Sequence, residues 1–505
     1  MTMKSVYIAG AGMTKFGKDS RPLAAILSEA AVQALAHAQI AMVDAIYIGA
    51  MNPEEFTGDS NLASQVTDAL GLTGIPAMRI ETASSAGAAA IMAGFQAISS
   101  GYYTRVLVLA GEKMTHLSTS ATTRILAEVL DKRERLCGAT MPALAAMITE
   151  KYRQKFRLSE FRLGNMLCAV ALKNHRNGAN NPLAQFQRAI TRREYFASKP
   201  VATPLCLYDC APITDGAAAV LLSAEPCDVR LSGIGQGTGP VSLQDREIFT
   251  SFTATQVAAH RAYQMAETKP QGIDFAEIHD AFTSFEIITT EDLGFFPAGK
   301  GGDAVVAGIT GPDGTLPINL SGGLKSRGHP VGASGLAQVV DVFRRLKGEI
   351  PSTREFRRGL TQSTGGLGTN NFVTILERAS ARTVQNSWTP ATHNLPGIQK
   401  RTQAQSQDDV EGVIETFTIV HVTPDGFLAP LALALIRARD GSLLMAQGED
   451  DTHLKIGQEV YVRRMDGLYL FTVKSQLQKV QEAFARLWRR RPADKSKENR
   501  AGEPR

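Results

Sequence analysis

The sequence predicts an α/β core built as two halves of one plan, followed by a small all-β barrel. Three observations carry this. From Val6 to Leu376, apolar runs of strand length alternate with helix-periodic stretches, the pattern of sheets covered by helices on both faces. The opening run Val6-Tyr-Ile-Ala-Gly-Ala-Gly recurs as Val229-Arg-Leu-Ser-Gly-Ile-Gly, an apolar strand entering glycines each time. After Val410, short strands are separated by Pro424-Asp-Gly426, Asp440-Gly441 and Asp466-Gly467, the turn chemistry of a small β-barrel.

In the first half, residues 21–38 read as an amphipathic helix and Ala45 to Gly49 as a strand. Val106 to Ala110 is a buried parallel strand by composition, and Ala217 to Leu222 is strand-like again. Between them, residues 115–200 form a helical excursion rich in Arg, Lys and Asn. Gly10-x-Gly12 lacks the third glycine of a dinucleotide-binding loop. The second half continues with helix 253–266, strand Phe275 to Ile278, helix 283–292, a strand-like run Leu316 to Leu320, a helix from Leu336 to Leu346 and strand Asn371 to Leu376. Residues 379–409 are polar and read as a linker. Strands Val413 to Val422, Leu431 to Ala438, Leu443 to Ala446, Val460 to Arg464 and Tyr469 to Val473 make the barrel. A helix at 475–488 and a charged, disordered tail are expected beyond it. The expected division is 1–226, 227–378, 379–409, 410–475 and 476–505.

Composition narrows the function classes. The 505 residues are 44% apolar and 20% charged, as in a globular protein with large cores, and no apolar run approaches the roughly 20 residues of a membrane span. Five cysteines argue against a disulfide framework and fit a reducing cytoplasm, and the start leads into a strand with no signal peptide expected. Cys206 and Cys210 lack a second pair, so no metal site is expected. The net charge of +5 does not call for a nucleic-acid partner; basic residues beside a pocket would serve phosphates equally well.

Chemistry concentrates in Ser321-Gly-Gly-Leu-Lys-Ser-Arg-Gly-His-Pro-Val-Gly-Ala-Ser-Gly335, where five glycines surround His329. Three further stretches share its glycine and small-residue texture or carry a histidine: Ser84-Ser-Ala-Gly87 ahead of an alanine-rich helix, His279-Asp-Ala-Phe282, and Thr361-Gln-Ser-Thr-Gly-Gly-Leu-Gly368. Together they resemble the thiolase superfamily, and His279-Asp-Ala-Phe282 resembles its sterol-carrier-protein-type branch. The resemblance covers residues 5–377 and implies a duplicated fold layered α-β-α-β-α, a coenzyme A thioester as substrate with no other cofactor, and a homodimer or dimer of dimers.

It also implies site roles. His329 would activate the nucleophile and His279 would bind a catalytic water or the substrate oxygen. Where the family has its nucleophilic cysteine this chain has Ser84, and where many members have an acid/base cysteine it has Ser363. A helix N-terminus can draw a cysteine toward its thiolate, but a serine hydroxyl starts far too high and needs a base to take its proton. Lys173, His175 and Arg176 lie in a loop-region motif of the same branch and would meet the coenzyme A phosphates; Gly328, Gly365 and Gly366 would let backbone approach the substrate. The C-terminal segment resembles the OB-fold partners of thiolase-like proteins without their cysteine zinc ribbon. Three functions stay open: acyl transfer or C–C bond chemistry through Ser84, a non-covalent aldol or retro-aldol step run by the two histidines, and a silent acyl-CoA or lipid-binding scaffold.

Overall fold

A computed structural model describes residues 3–352, 354–379, 409–424, 426–448, 454–465 and 468–474. The first half contributes β1 (Val6–Met13), α1 (Leu23–Ala38), β2 (Ala45–Gly49), β3 (Ala77–Ile80), α2 (Ala86–Ser99) and β4 (Arg105–Glu112). Its excursion carries α3 (Met141–Lys155), α4 (Glu160–Ala179) and the hairpin strands β5 (Pro200–Ala202) and β6 (Leu205–Cys206), after which β7 (Gly216–Ser223) returns to the sheet. The second half has β8 (Val229–Thr238), α5 (Thr253–Met265), β9 (Phe275–Ile278), α6 (Thr283–Asp292), α7 (Gly323–Arg327), α8 (Ser334–Lys347), β10 (Arg358–Gly365) and β11 (Asn370–Arg378).

The duplication read from the glycine-strand pattern is present in the sheet. Nine strands run in the order β3-β2-β4-β7-β1-β8-β11-β10-β9. In the first half β2 is parallel to β4, while β7 is antiparallel to both β4 and β1. In the second, β9 is parallel to β10 and β11 is antiparallel to both β10 and β8. Strands β1, β7, β4 and β2 thus match β8, β11, β10 and β9, and the halves meet where β1 pairs antiparallel with β8 at Val6–Leu231, Tyr7–Arg230 and Ile8–Val229. Helix α1 packs outside the first half and α5 outside the second, while α2 and α8 pack on each other between them. The five α-β-α-β-α layers follow.

The repeated glycines explain the close outer layers. A Cβ on Gly12 would stand 2.2 Å from the Ala30 carbonyl of α1, and one on Gly235 only 2.1 Å from the Ala258 carbonyl of α5. Strand and helix backbones touch there, with alanine facing glycine. Gly235→Ala is expected to push α5 off the sheet and to cost about 1–3 kcal/mol, read as a lowered denaturant midpoint.

Two local readings change. The run Leu316 to Leu320 is no strand: Pro317 interrupts it, Asn319 takes φ +57°, and Ile318 alone bridges to Ala276. The glycine stretch then holds the one-turn helix α7 before the His329 bend. Conversely, β10 escaped notice because its sequence, Arg-Gly-Leu-Thr-Gln-Ser-Thr-Gly, is mostly polar although nearly all of it is buried. The linker, the 475–488 helix and the tail lie outside the described residues, apart from the linker's first residue, Ala379, and its last, Asp409.

The C-terminal strands β12 (Asp409–Val420), β13 (Leu431–Ala438), β14 (Leu443–Gly448), β15 (Glu459–Met465) and β16 (Leu468–Val473) close into a barrel in the order β12-β13-β14-β16-β15-β12. The pair β14–β16 is parallel and the others are antiparallel. The barrel sits on the excursion. Ala202 of β5 pairs with Val420, the Thr416 hydroxyl donates to the Met147 carbonyl at 3.1 Å, and Lys151 pairs with Glu415. Val420, Leu431, Leu433, Leu435 and Met445 share one apolar cluster with Leu144 and Met147 of α3.

Candidate active site

Four chain segments converge where the sheet strands of both halves end. Strand β3 leads through Glu81 to Ser85 into α2; β9 leads into His279 and Asp280; α7 leads through His329 into α8; and β10 leads into the glycine turn. Their backbones are in close contact. A Cβ on Gly87 would lie 2.7 Å from the Gly332 carbonyl, one on Gly335 2.6 Å from Ser363 Oγ, and one on Gly365 2.3 Å from the Thr82 carbonyl.

Helix α2 starts at Ala86 with Ser85 as its N-cap residue, so Ser84 stands one position ahead of the cap, half-buried. The Ser85 hydroxyl donates to the Asn370 carbonyl at 3.0 Å, tying the helix start to the glycine turn. Ala83 adopts φ +56°, a left-handed conformation that costs an alanine about 1 kcal/mol and turns the chain sharply before Ser84. The Ser84 side chain makes no hydrogen bond among the described residues.

The two imidazoles lie together. Ring centroids of His279 and His329 are 5.1 Å apart and nearly perpendicular, at 87°. His279 is buried and His329 half-buried. Burial, followed by the Arg327 charge, pushes the His329 imidazole down to about 3; burial, followed by His329 and Arg327, holds His279 well below its ordinary value. Both rings are therefore neutral near pH 7. His329 Nδ1 lies 2.7 Å from Ser334 Oγ, and the Ser334 hydroxyl can donate to the Pro330 carbonyl at 3.2 Å. That chain assigns the proton to Nδ1 and leaves Nε2 as a free base. The His329 amide donates to Thr214 Oγ1 at 2.9 Å, and the His279 amide to Gln362 Oε1 at 3.2 Å.

The supports around these rings were not visible as such in the sequence. Fully buried Arg327 pairs with Asp341 of α8. Glu277 accepts the Ser321 hydroxyl at 2.5 Å and its amide at 2.9 Å, anchoring the start of the glycine stretch, and burial raises its carboxyl to about 7. Asp280 caps α7 through the amides of Leu324 at 2.6 Å and Lys325 at 3.3 Å. Asn319 joins β9 to α6: its Oδ1 accepts from the Ile278 amide and its Nδ2 donates to Glu286, both at 2.8 Å. The available signals were Arg327 and Asp341 fourteen residues apart and an asparagine three residues before Gly322.

Other expected site residues are engaged elsewhere. The Lys173 ammonium is buried against Glu286 at 3.0 Å and donates to the Ile318 carbonyl at 2.8 Å, so it is an internal brace rather than a phosphate ligand. His175 is buried between Phe186 and Tyr208, its ring pushed down to about 4 mainly by burial. Arg176 is two-thirds exposed beside Asp313 at 3.9 Å and does not converge with the other two. Space beside Gly328, at φ +115°, is taken by Thr214; beside Gly365 by Thr82 and Ser85; beside Gly366, at φ +57°, by Thr369. These glycines bring protein segments together. Ser363 is buried and its hydroxyl has no hydrogen-bond partner. Among the described residues no cluster of His, Cys, Asp or Glu is arranged to hold a metal ion, and no helix is long and apolar enough to cross a membrane.

Residues 6–226 match the thiolase N-terminal domain family and residues 235–378 the thiolase C-terminal domain-like family. An acetyl-CoA acetyltransferase of Methanothermobacter thermautotrophicus is 37% identical over 390 residues, spanning 74% of this chain and 100% of that protein. The chain belongs to the thiolase superfamily. This thiolase-like enzyme has a core of sterol-carrier-protein type: sterol carrier protein 2 of Oryctolagus cuniculus is 33% identical over 374 residues, 68% of this chain and 66% of that one. Benzoylsuccinyl-CoA thiolase subunit BbsB of Thauera aromatica is 30% identical over 378 residues, covering 72% and 95%. Among solved structures, a monomeric SCP2-thiolase-like protein type 1 from Mycobacterium smegmatis superimposes with TM-score 0.70 at 15% identity over 93% of this chain and 99% of that one. An Ltp2–ChsH2(DUF35) aldolase superimposes with TM-score 0.64 at 22% identity over 74% and 98%. At such identities these two structures establish the shared fold alone.

Proposed function

We propose that this thiolase-like enzyme makes or breaks a carbon–carbon bond, or transfers an acyl group, on an acyl-CoA thioester. The observation that carries the proposal is the pair of neutral imidazoles, His279 buried at the end of β9 and His329 half-buried ahead of α8, with centroids 5.1 Å apart. With Nε2 unprotonated at neutral pH, His329 is available to accept a proton as it is transferred in the transition state, and His279 beside it would bind the oxygen on which charge develops. In the covalent course, His329 takes the Ser84 hydroxyl proton as Oγ attacks the thioester carbonyl. The C–S bond breaks, the proton passes to the departing thiolate, and an acyl-serine remains for a second nucleophile.

A second reading rests on the absence of any hydrogen bond from Ser84 to either imidazole. A hydroxyl not committed to a base can donate to the thioester oxygen instead. One histidine then removes the proton of a β-hydroxyl, the Cα–Cβ bond breaks, an aldehyde or ketone leaves, and the acyl-CoA enolate takes the proton back at Cα. An acyl oxoester activates its α-carbon less than a thioester does, which favours this course for C–C bond chemistry. The barrel's closure, with its third and fifth strands parallel, supports the reading of the C-terminal domain as an OB-like module fused to the core.

Intact mass after incubation with acyl-CoAs separates the courses. A stable acyl adduct, lost in Ser84→Ala, is the expected result of covalent transfer. Cleavage of a β-hydroxyacyl-CoA without an adduct, surviving Ser84→Ala at about a tenth of the rate or more, establishes the retro-aldol course. Binding with neither outcome removes the enzymatic reading.

A further inference from the structure

Buried Glu112, the last residue of β4, takes no part in the proton transfers above. Its carboxylate lies under the His329 bend. Oε2 accepts the Met51 amide at 2.8 Å and the Gly332 amide at 3.2 Å, while Oε1 is buried with no partner. Among the described residues no cation lies within ion-pairing distance of it. Burying a carboxyl without a cation is costly, and burial raises this one to about 7. A position at the end of a core strand would be filled more stably by an apolar side chain, so the carboxylate is placed for what it holds.

What it holds is the Gly332 peptide. There is no room for a side chain at that residue: a Cβ would stand 2.7 Å from Glu112 Oε2 and 2.9 Å from the Ala50 Cα. On its other side, the Gly332 carbonyl meets the Gly87 Cα surface at the first turn of α2, where a Cβ would be 2.7 Å away. One residue is thus clamped, through its amide and its carbonyl, between β4, the exit of β2 and the helix that Ser84 precedes. It lies three residues after His329 and two before Ser334, the partner of the His329 ring.

We infer that Glu112 is a positioning residue that sets the separation between Ser84 and His329 by holding Gly332 against the start of α2. The inference rests on the acyl-CoA reading for its kinetic consequence but not for its geometric one. Displacement of a reacting pair by about 1 Å costs on the order of 100-fold in rate.

The test uses the full chain with Glu112→Ala, Glu112→Gln and Glu112→Asp. Two quantities are measured: kcat and KM on an acyl-CoA substrate, and amide hydrogen exchange of the segment 330–334. Alanine removes the acceptor, and aspartate, one methylene shorter, withdraws it from an amide already 3.2 Å away. Both are expected to lower kcat roughly 10- to 100-fold with KM within about twofold, and to raise exchange at 330–334 at least about tenfold. Glutamine retains an acceptor oxygen and is expected to recover kcat to within about fivefold. If Glu112→Ala does not fold, Glu112→Asp carries the test. A folded alanine or aspartate variant with unaltered kcat and exchange overturns the inference, as does a glutamine variant as impaired as alanine. A wild-type protein without acyl-CoA turnover refutes the proposed function instead, and the exchange measurement still decides whether Glu112 clamps the bend.

Discussion

Replacing His329 with asparagine is expected to lower kcat by about 10²–10⁴-fold while acyl-CoA binding and the fold persist. With Nδ1 bonded to Ser334, the group that would react under the proposed function is Nε2, and an asparagine amide in that volume has no basic lone pair to offer. Stopped-flow or endpoint turnover alongside a binding measurement checks the split; a variant with wild-type kcat ends the role assigned to this histidine. The substitution should also alter acid stability. Burial lowers the folded imidazole to about 3, whereas an unfolded histidine titrates near 6.5. Because the folded value is depressed, the unfolded chain binds the extra proton first as pH falls. The contribution to stability is complete above roughly pH 6.5 and is lost progressively toward pH 3. His329→Asn should therefore show a shallower decline of denaturant midpoint between pH 6.5 and 4 than wild type.

The second large effect is expected on stability. Asp341→Asn or Asp341→Ala leaves Arg327, whose side chain is completely inaccessible, with no carboxylate partner. Breaking one side of such a pair costs about 3–5 kcal/mol, a large fraction of a typical total. The ring of Phe16, 5.9 Å away, and the Ser334 carbonyl at 3.4 Å cannot replace the lost charge. Equilibrium unfolding of the purified variant checks this. Arg327→Met with Asp341→Leu should recover much of the loss, since removing both charges also removes their desolvation cost.

Recovery of the core from sequence followed from the hydrophobic effect acting on regular periods. Ala45 to Gly49 and Phe275 to Ile278 match the structure residue for residue because each buries a mostly apolar run of strand length, and helix 283–292 matches too although most of the residues it buries are polar. Failures cluster at the site. Strand β10 is buried yet polar: Gln362 donates to Thr364 and Thr255, and Ser363 stands against Gly335 of the glycine stretch. The run at 316–320 looks like a strand because a stretch of buried apolar residues carries no sign of the left-handed turn that Asn319 makes. His279 and His329 were legible through their glycine and aspartate neighbours. Lys173 was misread because a lysine in a polar motif gives no indication that a carboxylate from α6, more than a hundred residues away, will bury it.

The pairing of β1 with β8 and the packing of α2 on α8 join two halves that each bring part of the candidate site. Ser84 belongs to one and both imidazoles to the other, so under the proposed function turnover would report on the junction as well as on either half. One apolar cluster runs through both halves, from Val6 and Ile91 to Leu336 and Val340, so denaturant is expected to dissolve the junction together with the folds it joins, and loss of turnover to coincide with loss of the far-UV signal.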